Sequence, residues 1–192
     1  MEHDDHPLDN DAVEALARRI DRPVVLIGMM GVGKSSVGRK LANALHFSFV
    51  DADEAIEQAA HMTIPEIFDS FGEAYFRDGE RRVISRLIQD SDSGRLVIAT
   101  GGGAFCNADT RRLILERTIP VWLDAEVEVL LDRVARKDNR PLLRQGDPRE
   151  TLTRLREERA PFYSQAPIRV ISGNVPHART VAQVLKEIDA WL

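Results

Sequence analysis

The chain has 192 residues, 43% of them hydrophobic and 30% charged, with a net charge of −5. That length holds one α/β domain with a sizeable core and is short for two. The acidic balance excludes a general affinity for nucleic acid or an anionic membrane, so any bound anion needs a local cluster of Lys and Arg.

Cys106 is the single cysteine, so no disulfide forms within the chain, which fits a reducing cytoplasm. No apolar run approaches the roughly 18 residues of a membrane span. Residues 1–10 are acidic, carry His3 and His6 and have no apolar segment, so they read as a solvated tail and not as a secretory signal. Together, residues 1–21 are expected to form a partly disordered N-terminal extension ahead of a single domain over 22–192.

Asp11-Ala-Val-Glu14 has capping-box spacing and predicts a helix over 13–20. Val24 to Ile27 is an apolar β-branched run without alternation, the pattern of a strand buried on both faces. A glycine-rich turn and a helix over 34–45 follow, then a strand over 47–50 and a helix over 53–60. Thr63-Ile-Pro-Glu66 starts another helix with a capping box and an early proline. After Phe71-Gly72 a long helix is expected over 73–89. A third buried strand over 96–99 runs into Thr100-Gly101-Gly102-Gly103. Helix 109–117, strand 119–123 and helix 125–136 come next, then a loop rich in turn residues over 137–148. Helix 149–160, strand 168–171 and helix 180–191 finish the chain. Trp122 and Trp191 both read as core, and Cys106 as a small buried thiol. His46, His61 and His177 lack metal-ligand spacing. Five buried strands alternating with helices imply an α/β fold, one mostly parallel sheet between two helical layers.

Gly28-Met-Met-Gly-Val-Gly-Lys-Ser35 fits G-x-x-x-x-G-K-[ST], and it has the required strand before it and helix after it. Glycines let backbone N–H groups turn inward around a phosphate at the positive end of the helix. In such loops the Lys, here Lys34, reaches the β- and γ-phosphates, and the hydroxyl, here Ser35, is placed to ligate Mg2+. The ATP contacts expected of the loop are Gly28, Met30, Gly31, Val32, Gly33, Lys34, Ser35 and Ser36. Asp51-Ala-Asp53 falls at the end of the second predicted strand, where an open α/β sheet lines its ligand crevice. Side chains two apart on an extended segment point the same way, so both carboxylates can face the γ-phosphate; Asp53 as a helix N-cap is the other reading.

Six segments in order resemble the shikimate kinase family. Leu26 to Ala42 resembles its phosphate loop and first helix. Phe49-Val-Asp-Ala-Asp53 resembles its Asp-x-Asp element, and Ile67 to Arg77 the segment leading to its substrate arginine. Ala99-Thr-Gly-Gly-Gly-Ala104 resembles its triple-glycine turn, Asn139-Arg-Pro-Leu-Leu143 its lid, and Arg159-Ala-Pro-Phe-Tyr163 its second substrate arginine. The resemblance implies a P-loop, nucleoside-monophosphate-kinase-like α/β/α sandwich around a five-stranded parallel sheet. It implies transfer of the γ-phosphoryl of ATP to the 3-hydroxyl of shikimate, with Mg2+. It implies that Asp53 hydrogen-bonds the reacting hydroxyl, that Arg77 and Arg159 clamp the carboxylate, and that Gly101, Gly102 and Gly103 lie against the ring. Arg140 would reach the γ-phosphate from a lid over 136–149, Asp51 would steady Mg2+ through water, and Arg133 would stack on adenine. The substrate-binding segment would span 51–82, and a cytoplasmic monomer is expected.

The residues alone leave alternatives. Arg77 also reads as a solvated helix residue paired with Glu73 or Glu80, and Arg159 stands among other charges. The cluster Arg133, Arg136, Lys137, Arg140 and Arg144 reads as a solvated face or as a closing cover that keeps water from the phosphate. The third strand ends in Thr100 and not in Asp, so Asp51 has to serve as the acidic partner of a metal. A related kinase of gluconate or of a nucleoside monophosphate shares the phosphate loop and is the competing enzyme. A nucleotide-binding module without transfer is the competing non-enzyme.

Overall fold

The computed structural model describes residues 8–91, 94–135 and 147–192. Helix α1 (Asn10–Arg19) precedes strand β1 (Val24–Ile27), followed by α2 (Lys34–Leu45), β2 (Ser48–Asp51), α3 (Ala52–Ala60) and α4 (Ile64–Gln89). Then come β3 (Leu96–Ala99), a 3-10 turn (Ala104–Cys106), α5 (Ala108–Arg117), β4 (Ile119–Asp124) and α6 (Val127–Ala135). The chain finishes with α7 (Pro148–Tyr163), β5 (Ile168–Ile171) and α8 (His177–Trp191).

The strands form one parallel sheet in the order β2-β3-β1-β4-β5. Because every pairing is parallel, all five carboxyl ends share one rim. In register, Asp51 lies opposite Ala99, Ala99 opposite Leu26, and Leu26 opposite Val121. The segments that follow β1, β2 and β3 therefore start from a single row. Helices α1, α2 and α8 pack together as one layer, and α4 and α5 pack together as another. Right-handed crossovers place α2 on one face and α4 and α5 on the opposite face, giving the three-layer architecture.

Burial departs from the expectation of five buried strands. The three central strands are fully buried, whereas β2 is partly exposed and β5 alternates buried and exposed positions. The reason is position: β2 and β5 are the sheet's edges, with one neighbour each. Helix α1 is capped by Asp9, whose carboxylate accepts from Ala12 N–H, and not by a box at Asp11–Glu14. Its Leu16, 1% exposed, joins the central core, as does Ile20 just beyond its end. The predicted box at Thr63–Glu66 is present in both directions. Trp122 is core, but Trp191, in the last turn of α8, is 41% exposed.

Helix α4 is two limbs joined at Gly72, whose φ of 79° and ψ of 173° are not helical. A Cβ there would meet nothing within 4 Å. The exposed rings of Phe71 and Tyr75 stack beside this bend, with centroids 4.6 Å apart. The second limb carries Arg77 and Glu80 toward the rim of the sheet.

Candidate active site

The phosphate loop leaves β1 at Gly28 and enters α2 at Gly33, an N-cap in the left-handed region (φ 101°) with no capping side chain. The first-turn N–H groups of α2 are thus left for an anion. Lys34 folds back over the loop, its Nζ donating to Gly28 O (2.8 Å) and Met29 O (2.9 Å). Beside the loop, the guanidinium of Arg133 on α6 donates to Val32 O (2.8 Å), Ser172 Oγ (3.0 Å) and Gly173 O (2.6 Å). The Ser172 hydroxyl also donates to Val32 O (3.0 Å), and the His177 ring sits beside Gly33. Helix α6 and the turn between β5 and α8 therefore brace the loop.

Asp51 ends β2. One of its oxygens accepts from Ser35 Oγ at 2.6 Å, and the other accepts from Asp53 N–H at 3.1 Å, so Asp51, not Asp53, caps α3. That frees the Asp53 carboxylate. Burial raises its pKa above the ordinary aspartate range, the negative charge of Asp51 adds to the rise, and Lys34 and Arg77 oppose it. Ser35 and Asp51 offer two adjacent hard oxygen donors. This fits a cation such as Mg2+ that takes its remaining ligands from phosphate and water. Among the described residues no cluster of three or more His, Cys, Asp or Glu is placed to hold a metal. Thr100 is buried, and its hydroxyl donates to Leu26 O (3.1 Å), so it faces the sheet and away from the rim.

The decisive geometry lies at the triple glycine after β3. A Cβ on Gly101 would stand 2.7 Å from Glu80 Oε1 and 2.8 Å from Asp53 Oδ1. On Gly102 it would stand 3.1 Å from Arg159 Nη1 and 3.4 Å from Met30 N of the phosphate loop. On Gly103 it would stand 2.6 Å from Arg77 Nη2. Two Cα steps of about 3.8 Å each thus bring two carboxylates, two guanidiniums and the phosphate loop to one place. A side chain on Gly101 or Gly103 would force those groups to shift, and one on Gly102 would crowd Arg159. Arg77, Gly103, Cys106, Asn107, Arg159 and Glu73 line the adjoining pocket.

Comparison with known proteins matches the chain to the shikimate kinase family over residues 30–189. A shikimate kinase of Novosphingobium aromaticivorans is 61% identical over 193 residues, covering 100% of both chains. The chain belongs to the shikimate kinase family. It is an ATP-dependent small-molecule kinase. The solved shikimate kinase from Acinetobacter baumannii in complex with shikimate superposes with a TM-score of 0.80 at 37% identity, covering 91% of this chain and 97% of that one. A gluconokinase from Sinorhizobium meliloti reaches a TM-score of 0.58 at 18% identity, covering 90% of this chain and 94% of that one, a likeness of fold alone.

Most sequence-predicted residues come together in the fold. Lys34, Ser35, Asp51, Asp53, Arg77, Arg159 and Gly101 to Gly103 share the rim. The ion pairs foreseen for Arg77 also exist, to Glu80 at 2.7 Å and to Glu73 at 3.3 Å, so the pairing and the pocket are compatible. Cys106 is half-buried in the 3-10 turn and lines the pocket; burial raises its thiol pKa against the pull of Arg159 and Arg77. Arg140 and most of the expected lid lie outside the described residues. On either side of that segment, Arg149 at the start of α7 makes a two-pronged ion pair with Glu128 on α6, one prong at 2.6 Å.

Three contributors had no site role in the sequence reading, although Glu80 was expected as an ion-pair partner of Arg77. Glu80 is 2% exposed, its pKa raised by burial and held back by Arg77. Its signal was the i+3 spacing from Arg77 on an inward helix face. Ser172 is buried under the phosphate loop, in a turn without a motif. Tyr163 stands one helical turn after Arg159, inside a quoted motif but without an assigned task.

Proposed function

We propose that the residues gathered at the triple glycine hold shikimate for transfer of the γ-phosphoryl of ATP to its 3-hydroxyl. The observation that carries this reading is that successive glycines face Asp53, Arg159 and Arg77 while the middle one also abuts the phosphate loop. A planar carboxylate suits a pair of guanidinium forks. Arg77 and Arg159 bind it there, and the ring lies on Gly101 to Gly103. Asp53, poised above the usual carboxylate range, orients the attacking hydroxyl first and accepts its proton late, as a loose transition state allows. Gly28 to Ser36 wrap the triphosphate, and Lys34 moves from the loop carbonyls to the β- and γ-phosphates. Ser35, and Asp51 through water, hold Mg2+, which when bound neutralises phosphate charge. Arg133 presents its flat face to adenine, Arg140 reaches the γ-phosphate from the lid over 136–149, and the enzyme works as a cytoplasmic monomer.

The test is a coupled ADP-release assay on purified protein with shikimate, gluconate and AMP in parallel. Release is expected with shikimate. Release with AMP or gluconate alone overturns the reading.

A further inference from the structure

The geometry points to Tyr163 as a positioning residue for the acid substrate: its phenol ties the middle glycine of the turn to the helix that presents Arg159. This rests on the reading that Arg77 and Arg159 hold the substrate carboxylate.

The argument begins with the hydrogen bonds of three flexible residues. A run of glycines has wide backbone freedom, so its position must be imposed from outside. Gly101 O accepts from Ala104 N–H (3.2 Å) and Gly103 O from Cys106 N–H (3.0 Å), both within the turn itself. Gly102 O accepts instead from the Tyr163 hydroxyl on α7. Gly102 is partly buried, and the donor to its carbonyl comes from a distant segment. Gly102 is also the residue whose open side faces both Arg159 and Met30 N. Its placement therefore sets the spacing between the carboxylate clamp and the phosphate loop.

Tyr163 is held rigidly enough to act as a reference point. It is 1% exposed and packs against Trp122, with ring centroids 5.9 Å apart. Trp122 in turn lies under Arg169 at 4.6 Å, and Arg169 pairs with the buried Asp124 at 2.6 Å. Burial pushes the phenol pKa far above the ordinary tyrosine range despite the positive charge of Arg159. The hydroxyl thus keeps its proton and remains a donor across the working pH range. Arg159 and Tyr163 are four apart on one helix, so they share a face. One helical turn then fixes the distance between the floor of the pocket and the group that grips the acid.

Steady-state kinetics on the full chain test this, with Tyr163→Phe beside Arg159→Lys. Removing the hydroxyl keeps the ring packing and leaves Gly102 O without its donor, which is expected to raise the shikimate KM about tenfold. The ATP KM should stay within about twofold, since the phosphate loop keeps its own braces. A purely structural tyrosine would lower the active fraction or move both KM values together, and either result overturns the inference. An unchanged shikimate KM in Tyr163→Phe with a raised one in Arg159→Lys overturns the tyrosine's role and leaves the clamp standing. No change in either variant sinks the clamp as well. Should the phenylalanine variant fail to fold, 3-fluorotyrosine labelling of the native sequence replaces it, with Tyr75→Phe to assign the two fluorine signals. Shikimate alone should shift the Tyr163 signal and ADP alone should leave it; the reverse pattern overturns the proposal.

Discussion

The phosphate loop and the acid clamp sit against each other at Gly102, yet they are built by opposite means. The loop is one continuous stretch from Gly28 to Ser35, and the ligand groups it offers are mainly backbone N–H donors at a helix end. The clamp draws on four separated segments, around Asp53, Arg77, Gly102 and Arg159, and it works through charged side chains. A loop of backbone donors is built locally around its glycines, with Arg133 and Ser172 bracing Val32 O. The clamp keeps carboxylates buried above their ordinary pKa, and therefore at a cost to stability that its arginines only partly offset. The contrast teaches where specificity resides: phosphate binding is generic and local, and choice of acceptor depends on long-range assembly.

The largest test of this contrast is Asp53→Asn. Turnover should fall by about 10²–10⁴, while ADP binding measured by calorimetry stays unchanged. The same variant should melt at a higher temperature at pH 7. The folded pKa of Asp53 is raised, so its stabilising contribution is complete below the unfolded pKa and lost as pH rises through the folded one. An amide does not carry that loss. A variant that is both inactive and less stable at pH 7 would contradict the clamp's stored cost.

Next in size is Arg77→Lys. An ammonium cannot reproduce a forked pair with a carboxylate, so the shikimate KM should rise by roughly 10–100-fold with the ATP KM nearly constant. Equal shifts in both would erase the division between the two halves. Asp51→Asn sharpens it from the other side, assayed at saturating Mg2+. Residual activity should show an acid limb of kcat/KM displaced to lower pH, because the charge next to Asp53 is gone and its carboxyl then ionises more readily. An acid limb that stays or moves upward would mean that another group governs it.

The smallest kinetic effect belongs to Leu16→Ala. Removing this buried side chain should destabilise the fold by about 2–5 kcal/mol in denaturant melts. Both KM values should hold. A change in either would show that α1 reaches the site.

Much of the architecture was legible because periodicity and punctuation agree with it. Strands β1 and β3 and helix α2 lie where unbroken apolar runs, the glycine turn and helix spacing put them. Sheet order was not legible, so nothing in Ser48 to Asp51 said that β2 would be an edge. The phosphate loop declared itself by its spacing between a strand and a helix. Arg77 and Arg159, in contrast, look like solvated helix residues in isolation, and the resemblance to shikimate kinases was what singled them out. Glu80 was expected as a partner of Arg77, but its burial stayed hidden because a buried glutamate and an exposed one are written alike. Tyr163 stayed hidden because its partner is a main-chain oxygen, which no residue letter records. Ser172 acts in the same way, through Val32 O.

The bend at Gly72 carries a consequence of its own. There is ample room for a methyl group at that position, so volume places no demand on it. The torsion angles place the whole demand: φ 79° with ψ 173° is the mirror image of ordinary extended backbone. Handedness, not size, is what nature had to satisfy here, and an achiral residue is the one genetically encoded answer. A semisynthetic chain with D-alanine at 72 should keep the angle between the two limbs of α4, whereas L-alanine should swing Arg77 off the glycine turn.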